Sequence, residues 1–310
     1  METRRIGSLE VSAVGLGCNN FGWRLDREGT RSVVAAALDA GINFFDTADM
    51  YGETRSEQYL GEALGSRRGE VIVATKFGWR LDDQRYGARP DYVRRAAEDS
   101  LRRLGTDRID LYQLHRPDPE TPIAQTLGAL DELVRSGKVR EIGCSGFSAA
   151  QLREAQAAVH GGAARFVSVQ NEYSLLHREP EREVLAECER QGLAFLPYFP
   201  LAGGVLTGKY RRGQPDPAGT RLTAKPGAGG RFLSDRNREV AEALAELAAA
   251  RGRSLLDLAF SWLLGHGVVS SVIAGAMTPE QVRANTGAAG WQLTAADLAE
   301  IDRLAPPLTD

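Results

Sequence analysis

The run Val71-Ile72-Val73-Ala74-Thr75-Lys76 consists of β-branched and apolar residues and ends on a charged side chain. Such a run is typical of a parallel strand that is buried on both faces. The runs Ile42 to Asp46 and Ile109 to His115 have the same form, and each also ends on an ionisable residue. Longer stretches with helical periodicity separate these runs, so the pattern predicts a parallel sheet flanked by helices.

Apolar runs of this kind recur along the whole chain. We count eight of them: Ser12 to Gly17, Ile42 to Asp46, Val71 to Lys76, Ile109 to His115, Glu141 to Ser145, Phe166 to Gln170, Ala194 to Tyr198 and Ser271 to Ala274. Eight parallel strands close a (β/α)8 barrel, the TIM barrel of the α/β class. Single barrel domains contain about 250 to more than 400 residues, so we expect residues 1–310 to form one domain.

The stretches between the predicted strands place apolar residues at intervals of three and four, as an amphipathic helix does. Most of them are followed by a glycine, which favours a left-handed carboxyl cap. The predicted outer helices are Thr30 to Ala40, Thr54 to Leu64, Asp91 to Leu104, Pro122 to Ser136, Ala149 to Val159 and Glu181 to Gln191. Extra helices are predicted before the eighth strand and at the carboxyl terminus: Asn237 to Ala250, Leu255 to Leu264 and Ala295 to Leu304.

One connection is too long to be an ordinary turn between a strand and a helix. The stretch Gly203 to Arg231 is dense in glycine, proline and basic residues. Connections longer than about 12 to 15 residues without secondary structure are uncommon, and many of them are functional. The segment 203–235 is therefore predicted to be a functional loop or lid.

The composition favours a small-molecule partner. The net charge is -3, with both signs interspersed, so neither a nucleic-acid surface nor a membrane-binding segment is expected. An odd number of widely spaced cysteines argues against disulfides, and His160, His177 and His266 lack the spacing of metal ligands. The amino-terminal residues lack the apolar stretch of a signal peptide, so a cytoplasmic location is expected. Both a monomer and a homo-oligomer remain open.

Asp46, Tyr51, Lys76 and His115 follow the predicted strands, so they should face one mouth of the barrel and form an acid/base set. A phenol has a pKa near 10 and is a poor acid at neutral pH without a neighbouring cation. At about 4 Å and an effective dielectric constant of about 20, Lys76 would attract a phenolate by on the order of 4 kcal/mol, or roughly three pKa units before desolvation. Asp46 would keep Lys76 charged, and His115 would donate to a carbonyl oxygen. The set suits protonation of a C=O group.

Lys76 also allows a function of a different class, a Schiff-base aldolase in which the lysine amine attacks a carbonyl carbon. Against this hypothesis, Asp46 would keep the amine protonated, and a protonated amine is not a nucleophile. Trapping of a substrate on Lys76 with borohydride would support the aldolase.

Several segments resemble, in the same order, those of the aldo-keto reductases. They are Asn43 to Gly52, Glu57, Leu60-Gly61, Ala74 to Phe77, Asp110 to His115, Gln170 to Ser174 and Pro200 to Tyr210. The resemblance implies a (β/α)8 barrel without a Rossmann domain, which binds a nicotinamide nucleotide across its mouth and reversibly reduces an aldehyde or ketone to an alcohol. It further implies that Tyr51 is the proton donor, that Lys76 and Asp46 tune it, and that His115 orients the carbonyl.

The same resemblance implies where the nucleotide lies. The nicotinamide amide is expected at Ser145, Gly146 and Gln170, and its ring on Tyr198, in a segment whose Phe199 and Pro200 are also expected to bind the cofactor. The pyrophosphate is expected under Leu201 to Lys209, with Gly203 among these residues, and the adenosine end at Gly275, Met277, Gln281 and Asn285. The loop 203–235 is expected to cover the pyrophosphate. Position 146 departs from the more usual asparagine, and Asn171 is a candidate to compensate for it.

The resemblance leaves two types of nucleotide open, NADPH and NADH. Family members that prefer NADPH usually have a lysine or arginine near the positions of Gly275, Met277 or Gln281, and this chain has none there. Arg283, Thr278, Lys209 or an arginine of the loop remain candidates for a 2′-phosphate. Glu280 or Gln281 are candidates for a ribose hydroxyl. NADPH is the first expectation and NADH the second.

The predicted substrate pocket is rich in aromatic residues. Its members are Phe21, Trp23, Phe77, Trp79, Arg116 and Phe147. Aromatic walls favour apolar or ring-bearing substrates, although sugars also stack on them. Two alternatives within this resemblance are an NAD-dependent sugar or alcohol dehydrogenase that works in the oxidative direction, and a cofactor-sensing subunit that binds a partner protein.

Overall fold

The computed structural model describes residues 1–224, 227 and 229–307. The strands are β1 (Thr3–Ile6), β2 (Leu9–Ser12), β3 (Val14–Gly17), β4 (Phe44–Asp46), β5 (Ile72–Phe77), β6 (Ile109–Leu114), β7 (Val139–Ser145), β8 (Phe166–Glu172), β9 (Ala194–Tyr198) and β10 (Val272–Gly275). Strands β3 to β10 form an eight-stranded parallel sheet in the order β10-β3-β4-β5-β6-β7-β8-β9. The eight predicted strands and the (β/α)8 architecture are confirmed.

The barrel is nearly closed, with its seam between β9 and β10. In the described residues a single isolated bridge crosses this seam, between Phe195 of β9 and Val269, which precedes β10. The amide of Phe195 donates to Val268 O at 2.7 Å, and Phe195 O accepts from the amide of Ser270 at 3.1 Å. These bonds lie towards the amino-terminal end of the barrel. Near the barrel mouth, no hydrogen-bonded ladder joins the described residues of β9 and β10.

The helices pack around the barrel as the periodicity predicts. They are α1 (Arg27–Asp39), α2 (Arg55–Leu64), α3 (Pro90–Leu104), α4 (Ile123–Arg135), α5 (Ala149–Ala157), α6 (Val184–Gln191), α7 (Asp235–Ala250), α8 (Leu255–Leu264), α9 (Pro279–Gly287) and α10 (Ala295–Leu304). Gly105 and Gly192 end α3 and α6 in the left-handed conformation, as expected, with φ of 62° and 66°. Capping boxes start α5, α8 and α10.

The hairpin formed by β1 and β2 was not predicted from the sequence. The two strands pair in antiparallel register, and Gly7 turns between them with φ of 56°. The side chains of Ile6, Leu9 and Val11 are fully buried and pack with residues of the barrel interior such as Leu111. Because β2 leads into the start of β3, the hairpin covers the amino-terminal end of the barrel and leaves the carboxyl ends of the strands open.

In the part of the chain that the structure describes, no helix is long and apolar enough to cross a membrane. The same residues contain no group of three or more His, Cys, Asp or Glu side chains that could hold a metal ion.

Candidate active site

A buried ion pair lies at the carboxyl ends of β4 and β5. Asp46 ends β4 and Lys76 lies near the end of β5, and their side chains are 5% and 0% exposed. The Nζ atom of Lys76 donates to Asp46 Oδ2 at 2.6 Å and to the carbonyl oxygen of Thr47 at 2.9 Å. Such a pair is sustained inside a protein only when hydrogen bonds satisfy both charges, as they do here.

Tyr51 is placed against this pair by a strained turn. The three residues that follow it, Gly52, Glu53 and Thr54, all have left-handed backbone conformations, with φ of 57°, 57° and 75°. A Cβ atom at Gly52 would lie 2.4 Å from Phe21 O, so only glycine fits. The turn brings the Tyr51 ring centroid to 5.2 Å from Lys76 Nζ and to 5.8 Å from the His115 ring.

The expectation that Lys76 brings the pKa of Tyr51 down from its ordinary value is wrong. Burial raises the pKa of Tyr51, the charge of Lys76 lowers it, and the balance is a pKa above the ordinary value of 10. Burial likewise opposes the charge of Lys76, but Asp46 outweighs it and the pKa of Lys76 is raised. At neutral pH the phenol is therefore protonated beside a fixed ammonium group.

His115, the residue after β6, is held in the neutral form. Burial first, and then the charges of Lys76 and Arg116, lower the pKa of His115 from 6.5 to about 3. A neutral imidazole has one N–H donor and one acceptor. Its Nδ1 atom is buried and has no hydrogen-bond partner among the described residues.

Two glutamines complete the environment of Asp46. Gln170 Nε2 donates to Asp46 Oδ1 at 3.0 Å, and Gln113 Nε2 donates to the same oxygen at 3.3 Å. Gln170 was expected to bind a nicotinamide amide, and in this structure its amide nitrogen is engaged by the carboxylate. Gln113 was missed, because an amide within a buried strand gives no signal in the sequence. Both amides donate to the oxygen of Asp46 that does not accept from Lys76.

A cavity of about 960 Å³ extends from these residues across the barrel mouth. Asp46, Tyr51 and His115 line it at one end and Asn285 at the other. All thirteen residues that the family resemblance suggested for a nucleotide line the same cavity: Ser145, Gly146, Gln170, Tyr198, Phe199, Pro200, Leu201, Gly203, Lys209, Gly275, Met277, Gln281 and Asn285. Other lining residues were missed, among them Asn20, Arg24 and Arg221.

Gly146 has a conformational reason to be glycine. Its φ is 71°, a left-handed value that glycine and asparagine tolerate best. The amide nitrogen of Gly146 donates to Asn171 Oδ1 at 2.9 Å, and Asn171 Nδ2 donates to Phe147 O at 2.9 Å. Asn171 therefore fixes the backbone of this turn and does not replace the missing side chain within the cavity.

The predicted covering loop lies along the cavity. Its residues 225, 226 and 228 are outside the described part of the chain. Several contacts hold the described part in place. Among them, Arg24 Nη2 donates to Gly219 O at 2.8 Å, Arg221 lies 4.9 Å from the Phe199 ring centroid, and Arg231 pairs with Glu172 at 2.7 Å. Gly203, Lys209 and Arg221 of this segment all line the cavity.

The far end of the cavity meets the start of α9. Thr278 caps this helix by accepting from the Gln281 amide, and Gln281 Oε1 accepts from the Met277 amide at 2.7 Å. Asn20 Oδ1 is buried at this end and has no hydrogen-bond partner among the described residues. Arg283, a candidate for a 2′-phosphate, pairs with Glu280 and does not line the cavity.

The predicted aromatic pocket is smaller than expected. Trp79 and Arg116 line the cavity, with Arg116 5.1 Å above the Trp79 ring. The structure places Phe21, Phe77 and Phe147 in the hydrophobic core instead, and Trp23 is 53% exposed outside the cavity wall. Phe77 stacks on Tyr112 in that core. Because strand residues alternate between faces, aromatics near a strand end can belong either to the mouth or to the helix layer.

The fold and the site define a (β/α)8 barrel that gathers a neutral phenol, a buried lysine and aspartate pair and a neutral imidazole at its mouth. The chain belongs to the Aldo/keto reductase family, whose model matches residues 13–306. It is thus an oxidoreductase of a family that acts on small-molecule carbonyl compounds.

Curated proteins and solved structures agree with this assignment. The chain is 35% identical to a probable aldo-keto reductase of Glycine max, over 96% of this chain and 86% of that protein. It is 34% identical to an aldo-keto reductase of Schizosaccharomyces pombe with NADP(+) in its name, over 96% of this chain and 90% of that protein. A glycerol dehydrogenase of Gluconobacter oxydans has the same fold, with a TM-score of 0.84, 31% identity and coverage of 99% and 97% of the two chains.

Proposed function

We propose that this protein reduces an aldehyde or ketone to an alcohol with a nicotinamide nucleotide, and that Tyr51 is the general acid. The observation that carries the proposal is the protonated phenol of Tyr51, held beside the Lys76 and Asp46 pair in a cavity that also contains His115. The bound nucleotide would supply the hydride. The residues of the chain would supply the proton.

The charge of Lys76 supports proton transfer from Tyr51 to the carbonyl oxygen. Lys76 remains charged because Asp46 and the carbonyl oxygen of Thr47 hold its ammonium group. When Tyr51 gives its proton to the carbonyl oxygen, the phenolate that forms lies next to this cation. Electrostatic stabilisation of the developing charge lowers the barrier to proton transfer.

The neutral imidazole of His115 supports a complementary role. With its pKa lowered to about 3, His115 does not protonate the substrate at neutral pH. It would donate a hydrogen bond to the carbonyl oxygen, polarise the C=O bond and place the oxygen near the Tyr51 hydroxyl. The two rings meet edge to face at 5.8 Å, so one oxygen atom could be reached from both.

The cavity fits a nucleotide in size and in the chemistry of its lining. Small-molecule and cofactor sites measure about 300 to 1,000 Å³. Arg24, Lys209 and Arg221 supply positive charge for phosphates, and the amino terminus of α9 favours an anion as well. The unpartnered Oδ1 atom of Asn20 is a ready acceptor for a ribose hydroxyl or an adenine amino group.

NADPH is our first choice of nucleotide. Arg24, Lys209 and Arg221 line the cavity and are candidates for a 2′-phosphate, since this chain has no lysine or arginine at positions 275, 277 and 281. The similarity to the fission yeast reductase with NADP(+) in its name points the same way. NADH remains the second choice, because Glu280 and Gln281 lie at the amino terminus of α9, where either could bind a ribose hydroxyl.

Two other functions are less well supported. An aldolase would need Lys76 deprotonated, whereas its pKa is raised. Oxidation of an alcohol would need Tyr51 to lose its proton first, so this direction should be favoured by alkaline pH. The similarity to a glycerol dehydrogenase keeps the oxidative direction as the second candidate.

The test is a fluorescence titration with NADPH against NADH, followed by a panel of aldehydes and ketones assayed at neutral pH. We expect NADPH to bind more tightly, and its absorbance to fall when a carbonyl compound is added. If neither nucleotide binds below millimolar concentration, the proposed reaction is wrong.

A further inference from the structure

The cavity has an excess of positive charge that the described part of the chain does not neutralise. Arg24, Arg116, Lys209 and Arg221 line it, and none of them pairs with a carboxylate in the described part of the chain. Asp46 is the only acidic lining residue among those described, and Lys76 already neutralises it. The whole chain, in contrast, has a net charge of -3.

The four cations come from three connections of the barrel. Arg24 belongs to the connection between β3 and α1, and Lys209 and Arg221 belong to the covering loop, where they match the phosphates of a nucleotide. Arg116 comes from a different element, the connection between β6 and α4, directly after His115. Its charge reaches the imidazole, because it contributes to the lowered pKa of His115. Arg221 also reaches the reacting groups, because its charge opposes the rise in the pKa of Tyr51. Arg116 is the cation that directly follows His115 in the chain.

Among the described residues, an aromatic ring and not a carboxylate orients the guanidinium of Arg116. Its carbon atom lies 5.1 Å from the centroid of the Trp79 ring, and that ring lies 5.5 Å from the His115 ring. Asp118, the nearest acid along the chain, instead accepts from the amides of Ala88 and Glu120 and from the Thr121 hydroxyl. A guanidinium stacked on an aromatic face keeps its N–H edge free for two parallel bonds to an anion.

We propose that the carbonyl substrate carries an anionic group, either a carboxylate or a phosphate, and that Arg116 determines this specificity. The inference rests on the proposed reductase function and names the substrate class of the same site. Arg116 binds the anionic group of the substrate while His115 and Tyr51 hold its carbonyl oxygen. Trp79 supports the guanidinium and forms an apolar wall for the part of the substrate between the two groups.

The test compares aldehydes that differ only in charge. One pair is 4-carboxybenzaldehyde and methyl 4-formylbenzoate, and the other is glyceraldehyde 3-phosphate and glyceraldehyde, so the pairs distinguish a carboxylate from a phosphate. We expect kcat/KM of the wild type to favour the anionic member of at least one pair by about tenfold or more. In Arg116→Gln this ratio should fall by about tenfold, mostly through KM, and Arg116→Lys should retain part of it.

Arg27→Gln is a matched control. Arg27 also lies over an aromatic ring, 4.9 Å from that of Tyr59, but it pairs with Glu62 and does not line the cavity. This variant should keep the wild-type ratio. Reduction of both members of each pair at similar kcat/KM, or an unchanged ratio in Arg116→Gln, would overturn the assignment of an anionic substrate. Absence of turnover with all four aldehydes, in contrast, would overturn the proposed reductase function itself.

Discussion

Tyr51 and His115 are neighbours at the mouth of the barrel. At its ordinary pKa the histidine would be partly charged near neutral pH, whereas the tyrosine would be neutral. Burial raises the pKa of the phenol and lowers that of the imidazole, so both side chains are neutral and both retain a proton that they can share with a carbonyl oxygen. Lys76 remains the charged member of the site. Environments that separate pKa values in this way are how enzymes assign acid and base roles.

Replacement of Tyr51 by phenylalanine removes the proton donor and leaves the ring. We expect nucleotide binding to persist while kcat for carbonyl reduction falls by about 10² to 10⁴, the usual contribution of a positioned general acid. Fluorescence titration measures the first quantity and steady-state kinetics the second. Tyr59→Phe is the matched control, because Tyr59 lies on α2 outside the cavity. A Tyr51→Phe enzyme with wild-type turnover would remove Tyr51 from the proposed role.

At the residue scale, the sequence is most informative where a polar side chain interrupts an apolar run. Asp46, Lys76 and His115 stand out in this way, and Tyr51 follows in a motif, so their meeting at one mouth could be predicted. Gln113 gives no such signal, because its amide acts only through a carboxylate on another strand. Arg24 and Arg221 could not be selected either, since their loops approach the cavity only in the folded chain.

At the element scale, the covering loop and the connection between β3 and α1 meet across the cavity through Arg24 and Gly219. Arg24→Gln removes a charge that faces the expected phosphates and weakens this contact. We expect the dissociation constant for NADPH to rise by about tenfold and to become less sensitive to salt, since a phosphate contact is lost. A titration of intrinsic fluorescence at low and high ionic strength measures both effects.

Arg27→Gln again serves as the control, because this exposed arginine on α1 makes its contacts away from the cavity. If Arg24→Gln and Arg27→Gln bind NADPH equally well at low salt, the loop contact has no part in nucleotide binding.

The helices and the barrel strands could be predicted because apolar residues follow a characteristic spacing in the first and form continuous runs in the second. The predicted bounds of α8 and α10 agree with the structure residue for residue, and Ser254 and Thr294 cap them. The β1 and β2 hairpin was not predictable in this way, since each strand has four residues and its burial depends on the barrel end that it covers. Closure of the sheet was inferred from the number of strands, but the incomplete seam between β9 and β10 follows from long-range packing alone.

At the scale of the whole molecule, Asp49 is an acid buried behind the site that does not line the cavity. Burial first, and then the charge of Glu57, raise its pKa from 3.8 to about 8. The folded protein therefore holds a proton that the unfolded chain releases above about pH 4. Stability contributed by this proton is full below about pH 4 and is lost as pH rises towards 8.

Asp49→Asn removes this titration and should flatten the pH dependence of unfolding. As pH rises from 5 to 8, the wild type should lose on the order of 2 kcal/mol more of its free energy of unfolding than the variant does. Urea denaturation at both pH values measures the difference. Asp118→Asn is the control: its pKa is lowered, so its effect should be the same at both values. A difference between Asp49→Asn and the wild type that does not change with pH would contradict the assigned protonation.

The interrupted seam implies that amide hydrogens are protected unevenly around the barrel. Tyr198 ends β9 on one side of the seam, Gly275 ends β10 on the other, and no ladder joins these ends in the described residues. Local opening begins where backbone hydrogen bonds are fewest. A nucleotide that contacts both residues would favour the closed state, so NADPH should slow deuterium uptake in β9 and β10 more than in β5 and β6. Equal protection of the two regions would mean that the ligand does not bridge the seam.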